Sequence, residues 1–122
     1  MTTPALNLGA ASTAQLAGQA WDAVRVPRGI GLLTLEILGA RSGAVIEDER
    51  ALYRLVPTGA ATGCDITGTT VLNAGARVSV PPARRMAGPG PFWRVCPGDT
   101  WLTDADALRT AVEDAYQPEA AR

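Results

Sequence analysis

The residues of this chain that could do chemistry are few, and two kinds are missing outright. All 11 cations are arginine, and the sequence contains neither lysine nor histidine. Histidine is the usual general base near neutral pH and the commonest metal ligand. Its absence excludes Ser-His and Cys-His nucleophile pairs and histidine-bearing zinc sites, and the absence of lysine excludes a Schiff-base or phosphate-loop lysine. Codon usage in a GC-rich genome explains the bias, together with the abundant Ala, Gly and Val. Cys64 and Cys96 do not form a C-x-x-C spacing and read as small buried hydrophobes in a reducing compartment. Nothing in this inventory calls for a metal or a cofactor.

Carboxylates offer two close pairs, Glu47/Glu49 and Asp104/Asp106. Acid–base work needs such a pair facing one bond. The first pair, however, belongs to the charged run Glu47-Asp48-Glu49-Arg50, whose composition suits an exposed turn. The second opens a helix, where acids are favourable at the positive end of the macrodipole. Both pairs therefore have a structural explanation, and neither is expected to be catalytic.

The cations lead elsewhere. Arg84-Arg85 is the one adjacent cationic pair, set in the proline- and glycine-punctuated segment Pro81-Pro82-Ala83-Arg84-Arg85-Met86-Ala87-Gly88-Pro89-Gly90-Pro91. Arg77 precedes it, and Trp93 and Arg94 follow. Planar guanidinium groups recognise carboxylate or phosphate bidentately. Arg77, Arg84, Arg85, Trp93 and Arg94 are the candidate binding residues.

These residues need elements to hold them. Val71-Leu72 and Val78-Ser79-Val80 flank Asn73-Ala74-Gly75-Ala76 and predict a hairpin whose second strand ends at Pro81-Pro82. Trp21 to Val26 alternates in period 2, with Trp21 and Ala23 on one face and Asp22, Val24 and Val26 on the other, and predicts a strand stopped by Pro27. Ile30 to Leu38 is too densely apolar for a surface helix and predicts one buried against a sheet, with Gly39 as its stop. Ala44 to Ile46 and Leu52 to Val56 predict a second hairpin about the charged turn, and Phe92 to Cys96 another strand.

The C-terminal helix is the clearest element. Leu108, Ala111, Val112 and Ala115 form one stripe, so a helix is expected over about 104–116, with Thr103 as N-cap and Pro118 as its stop. Residues 1–19 read as a flexible N-terminal segment with a short helix from Ser12 to about Gln19, residues 20–116 as one domain, and 117–122 as a tail. The fold class is α+β, a mainly antiparallel sheet built from hairpins with two or three helices packed on it. Trp21, Trp93 and Trp101 belong to the core or to an interface.

Length and charge narrow the function. At 122 residues the chain suits a single domain, with 47% apolar and 19% charged residues. A net charge of −1 gives no global attraction to nucleic acid. No run of about 18 apolar residues occurs, and the N-terminus has no cationic n-region. No membrane segment is expected, and the localisation is expected to be cytoplasmic.

Several motifs together resemble a known family. Cys64-Asp65-Ile66-Thr67-Gly68, then Val78-Ser79-Val80-Pro81-Pro82-Ala83, then Gly88 to Phe92-Trp93 are similar to the D-x-R-G, G-x-V-V-A-P-P-S and Y-x-W string of the N-terminal domain of bifunctional DNA primase/polymerases, the prim-pol branch. Trp21-Asp22-Ala23-Val24 resembles that family's acidic D-x-D strand, and Ala51-Leu52-Tyr53-Arg54-Leu55-Val56-Pro57 its G-x-H-L-Y-F strand. The resemblance covers about residues 20–115, and small stand-alone proteins of this pattern occur in actinobacteria. It implies two catalytic metals held by carboxylates, because phosphoryl transfer needs both attacking and leaving oxygens clamped. Here Val24 stands at the second acidic position and no histidine exists. The resemblance thus implies a degenerate, non-catalytic relative. The expected function is a protein-interaction or regulatory module with a protein partner or a second copy, and the alternative is a nucleic-acid-binding accessory protein using the Arg84-Arg85 loop.

Overall fold

The computed structural model describes residues 13–18, 21–61, 66, 68–73, 75–82, 84–98 and 101–116. Residues 1–12 and 19 of the expected N-terminal segment, the expected tail with Pro118, and Cys64, Asp65, Thr67 and Ala83 of the family-like motifs lie outside the described residues. Seven strands and two helices follow in the order β1 (Thr13–Leu16), β2 (Asp22–Pro27), α1 (Arg28–Leu38), β3 (Val45–Glu47), β4 (Ala51–Val56), β5 (Thr70–Leu72), β6 (Arg77–Val80), β7 (Phe92–Val95) and α2 (Ala105–Tyr116). Five strands form an antiparallel sheet in the order β5-β2-β4-β3-β7, and β1 pairs with β6 as a separate ribbon. Strands β2 and β3, joined by α1, run parallel with β4 inserted between them, a split β-α-β arrangement. The fold is α+β, as the sequence predicts.

The alternation within β2 decides how the layers form. Val24 and Val26 point to one face and pack with Val56, Leu38, Leu108, Ala111 and Val112 beneath the two helices. Ala23 points to the other face and joins Trp21, Ile46, Leu55, Trp93, Trp101, Val78 and Val80 beneath the ribbon. The sheet is therefore buried on both sides, which makes β4 read as a near-continuous buried run. All three tryptophans are core residues. Fully burying a residue such as Leu108 contributes about 1.5–3 kcal/mol.

Two glycines permit close approaches that fix the layers. A Cβ at Gly31 in α1 would come within 2.9 Å of the Leu52 Cβ, so the helix rests directly on β4. A Cβ at Gly43 would lie 2.7 Å from the Trp101 carbonyl oxygen. That approach lets the Ala44 N–H donate to the Trp101 carbonyl at 3.0 Å and ties β3 to the segment that opens α2. No helix among the described residues is long and apolar enough to cross a membrane.

Three local expectations are corrected. The turn at Asn73 closes, with Ala76 N–H donating to the Asn73 carbonyl at 2.8 Å, but its two arms do not pair with each other. Strand β5 adds to the edge of the large sheet at β2, and β6 takes β1 and buries Val78 and Val80 in the core, whereas a short two-stranded hairpin alone is marginal. Residues 13–16 accordingly form a strand and not the expected helix; Gly18, at φ 103, ends the segment in a turn. Thr103 is not the cap of α2. Its hydroxyl is buried and accepts the Gly43 N–H at 2.9 Å, and Asp104 caps instead, its carboxylate accepting the Ala107 N–H at 2.9 Å.

Candidate interaction site

Glu47 is the last residue of β3 and shares a face with Val45 two positions earlier, so the pleat aims it at the side of the sheet where α1 begins. Arg28 stands in the first turn of α1, anchored by its own N–H to the Arg50 carbonyl at 2.9 Å. Arg94 comes from the neighbouring strand β7. The Arg28 Nε donates to Glu47 Oε2 at 2.9 Å and the Arg94 Nε to Glu47 Oε1 at 2.6 Å. The carboxylate side chain is 2% exposed, whereas the Arg28 and Arg94 side chains are 49% and 38% exposed. Burial pushes the Glu47 carboxyl up, but the hydrogen bonds from Arg94 and Arg28 outweigh it and hold the group below its ordinary value. The same bond from Glu47 pushes the Arg94 guanidinium up.

The adjoining turn is built by Asp48. One carboxylate oxygen accepts the N–H groups of Arg50 and Ala51, both at 2.8 Å, and the other accepts the Tyr53 hydroxyl at 3.0 Å. Burial raises the Asp48 carboxyl, yet these donors, the Arg50 amide foremost, lower it on balance. Arg25 Nε donates to the Tyr53 oxygen at 3.4 Å, and its guanidinium lies 6.0 Å from the ring centre. Burial, with Asp48 next to it, pushes the Tyr53 phenol up.

The proline- and glycine-rich loop closes over this turn. Arg85 is tied at three points: its N–H donates to the Pro82 carbonyl at 3.2 Å, its carbonyl accepts the Trp93 N–H at 2.7 Å, and its guanidinium donates to the Pro89 carbonyl. The Trp93 indole N–H donates to the Pro82 carbonyl at 3.1 Å. Between loop and turn runs a groove of about 400 Å³, walled by Arg28, Glu47, Asp48, Glu49, Phe92 and Arg94 and edged by Gly88–Gly90. A smaller pocket of about 150 Å³ opens on the far side of Asp48, with Tyr53, Arg77 and Ser79 in its wall.

The structure thus brings some of the sequence-predicted residues together and not others. Arg94 lines the groove, and Arg77 lines the pocket behind it. Arg85 spends its guanidinium inside the loop. Arg84 is exposed, held at φ 64, and borders neither cavity. Trp93 is wholly buried and supports the loop from beneath. Sequence reasoning missed Arg28, and it read Glu47 as part of an exposed turn. The period-2 pairing of Val45 with Glu47 was the one local signal, since its arginine partners lie 19 and 47 residues away.

Asp22, the acid of the family-like strand, is 2% exposed and accepts the Gly59 N–H at 2.8 Å, while Val24 is packed under the helices. Among the described residues no three His, Cys, Asp or Glu side chains come together as a metal-binding group. No family model matches the chain, and no curated protein and no solved structure matches it.

Proposed function

We propose that the chain is a non-catalytic interaction module, a degenerate primase/polymerase-like domain that engages a protein partner through the groove beside the β3–β4 turn. The observation that carries this reading is Glu47, buried between Arg28 and Arg94 at 2.9 and 2.6 Å. Taking a carboxylate out of water costs several kcal/mol, so burying one between two arginines is by itself weak evidence of a stabilising role. What the carboxylate adds is position: it fixes two long side chains and leaves the outer edges of their guanidinium groups along the groove. Side chains ordered beforehand lose less freedom when a partner arrives. Support for a non-catalytic role comes from the acids of this turn, since Glu47 and Asp48 accept hydrogen bonds from their own chain on both carboxylate oxygens.

The test is a photo-crosslinking amino acid placed at Glu49 in the cells that make the protein, with the same group at Glu113 on the exposed side of α2 as control. The expected result is one defined adduct from position 49, absent from position 113 and lost in Arg28→Ala. Equal labelling at the two positions would overturn the reading.

A second reading, contact with nucleic acid phosphates, is favoured by the exposure of Arg84 and Arg77. It expects affinity for a labelled duplex to fall with salt by about 0.9 log units per log unit for each phosphate contact, with Arg84→Ala flattening the slope by about that amount. Binding that ignores Arg84→Ala and Arg77→Ala would remove this reading.

A further inference from the structure

The groove carries both signs of charge. Arg28 and Arg94 stand in its wall with Asp48 and Glu49, so a purely anionic ligand drawn to the arginines would also meet two carboxylates. Glu47 and Asp48 are satisfied by their own chain, but Glu49 is exposed and has no ion pair among the described residues. Each arginine spends only its Nε on Glu47. The surface that fits such a groove has the opposite order of charges, acid against the arginines and cation against the acid. A two-fold rotation that sets Glu49 of one copy on the arginines of the other supplies that order twice, because in such an interface every contact is repeated in reverse.

Apolar side chains belong to the loop and to the wall of the same groove. Met86, 59% exposed, is the one exposed large hydrophobic side chain among the described residues, and it sits on the loop whose Gly88–Gly90 edge the groove. Half-buried Phe92 lies in the groove wall, with the Arg94 guanidinium 5.7 Å from its ring centre. Methionine, aromatic residues and arginine are enriched in protein interfaces. Strand addition along β7 is blocked at Trp93, whose N–H is already taken by the Arg85 carbonyl at 2.7 Å. Side chains must then make the contact, not a continued sheet.

We infer that this face binds a second copy of the chain about a two-fold axis, with Glu49 of each protomer against Arg28 and Arg94 of the other and the two Met86 side chains near the axis. The inference rests on the reading of the groove as an interaction face and names the partner.

Sedimentation velocity on the full chain, from about 5 to about 300 µM, tests it at about 50 mM and about 500 mM salt. The expected result is a concentration-dependent dimer that weakens as salt rises. Glu49→Arg sets cation against cation and should weaken the dimer by about tenfold or more. Met86→Asp should weaken it independently, both variants should melt with the wild type, and Glu113→Arg should leave association unchanged. A chain that stays monomeric throughout at low salt overturns the inference, as does a dimer indifferent to both Glu49→Arg and Met86→Asp. A monomeric chain that still crosslinks from position 49 to a different protein overturns the two-fold pairing while leaving the interaction reading in place.

Discussion

Glu47 and Arg54 are two charged side chains buried on the same face of the sheet, and their surroundings are opposite. Arg54 lies directly across from Val45 in the β3–β4 ladder, and Glu47 is two residues further along β3, so both point toward the helical layer. Glu47 is at the rim, where Arg28 and Arg94 reach it from the surface. Arg54 is in the middle, 0% exposed beneath α1. Its Nη2 reaches the Gly31 carbonyl only at 3.4 Å, and its Nε and Nη1 have no partner among the described residues. Burial lowers its pKa to about 10, so at neutral pH it still carries its charge. The difference is one of access: at the rim opposite charges arrive with a large part of each arginine still in water, while in the centre Arg54 lies under α1, which rests directly on β4 at Gly31.

The largest effect should come from erasing the unpartnered charge. Arg54→Met keeps the unbranched stem and removes the guanidinium, and it should stabilise the fold by about 1–4 kcal/mol, read from urea denaturation. The gain has a pH signature. The folded state releases this proton near 10, below the ordinary arginine value, so the penalty is complete below about 10 and fades as pH rises through it. The advantage of Arg54→Met should therefore shrink in alkali. A variant less stable than the wild type at neutral pH would show that the guanidinium is well partnered and would erase the contrast with Glu47.

Glu47→Gln should act in the other direction and by less. Breaking a fully buried ion pair costs about 3–5 kcal/mol, but both arginines here can return to water, so a loss of about 2 kcal/mol is expected. The folded carboxyl lies below its ordinary 4.5, so its contribution is complete above 4.5 and disappears as pH falls through the folded value. Wild type and Glu47→Gln should differ near neutrality and converge in acid. A gap that persists in strong acid would assign the loss to packing instead of charge.

Much of the fold was legible because it depends on short-range periodicity. The stripe Leu108, Ala111, Val112, Ala115 marks α2, and the apolar runs on either side of the charged turn mark the β3–β4 hairpin. What was not legible depends on partners far away in sequence. The segments flanking Asn73 look like a hairpin locally, but β2 and β1 claim them. Glu47 looks like a solvated turn residue because nothing near it in sequence announces Arg94. Arg54 sits in a strand of apolar residues, and only the two-sided burial of β4 reveals that its charge is enclosed.

The start of α2 extends the comparison to two side chains that accept backbone N–H groups, one buried and one exposed. Thr103→Val should cost about 1–3 kcal/mol, because it leaves the buried Gly43 N–H without an acceptor. Asp104→Ala should cost only about 1 kcal/mol, since water can replace an exposed cap. Thermal melts order the two, and the reverse order would return the capping role to Thr103.

The smallest effect belongs to a charge that is neither buried nor paired. Arg84 is exposed and holds φ 64, a left-handed conformation that costs a non-glycine residue about 1 kcal/mol. Glycine removes that strain but adds freedom to the unfolded chain, so Arg84→Gly should stabilise by only about 0.5 kcal/mol. The loss of the charge itself should count for almost nothing, because no ion pair among the described residues depends on it. The pairing of two chains should also be unaffected, since the inferred contacts, Glu49 on Arg28 and Arg94 and Met86 on Met86, do not include Arg84, which lines neither the groove nor the pocket behind it. A change in dimer affinity on Arg84→Gly would move the interface from the groove toward the loop tip. If stability and association both hold while affinity for duplex DNA falls, Arg84 serves a phosphate-binding surface separate from the groove.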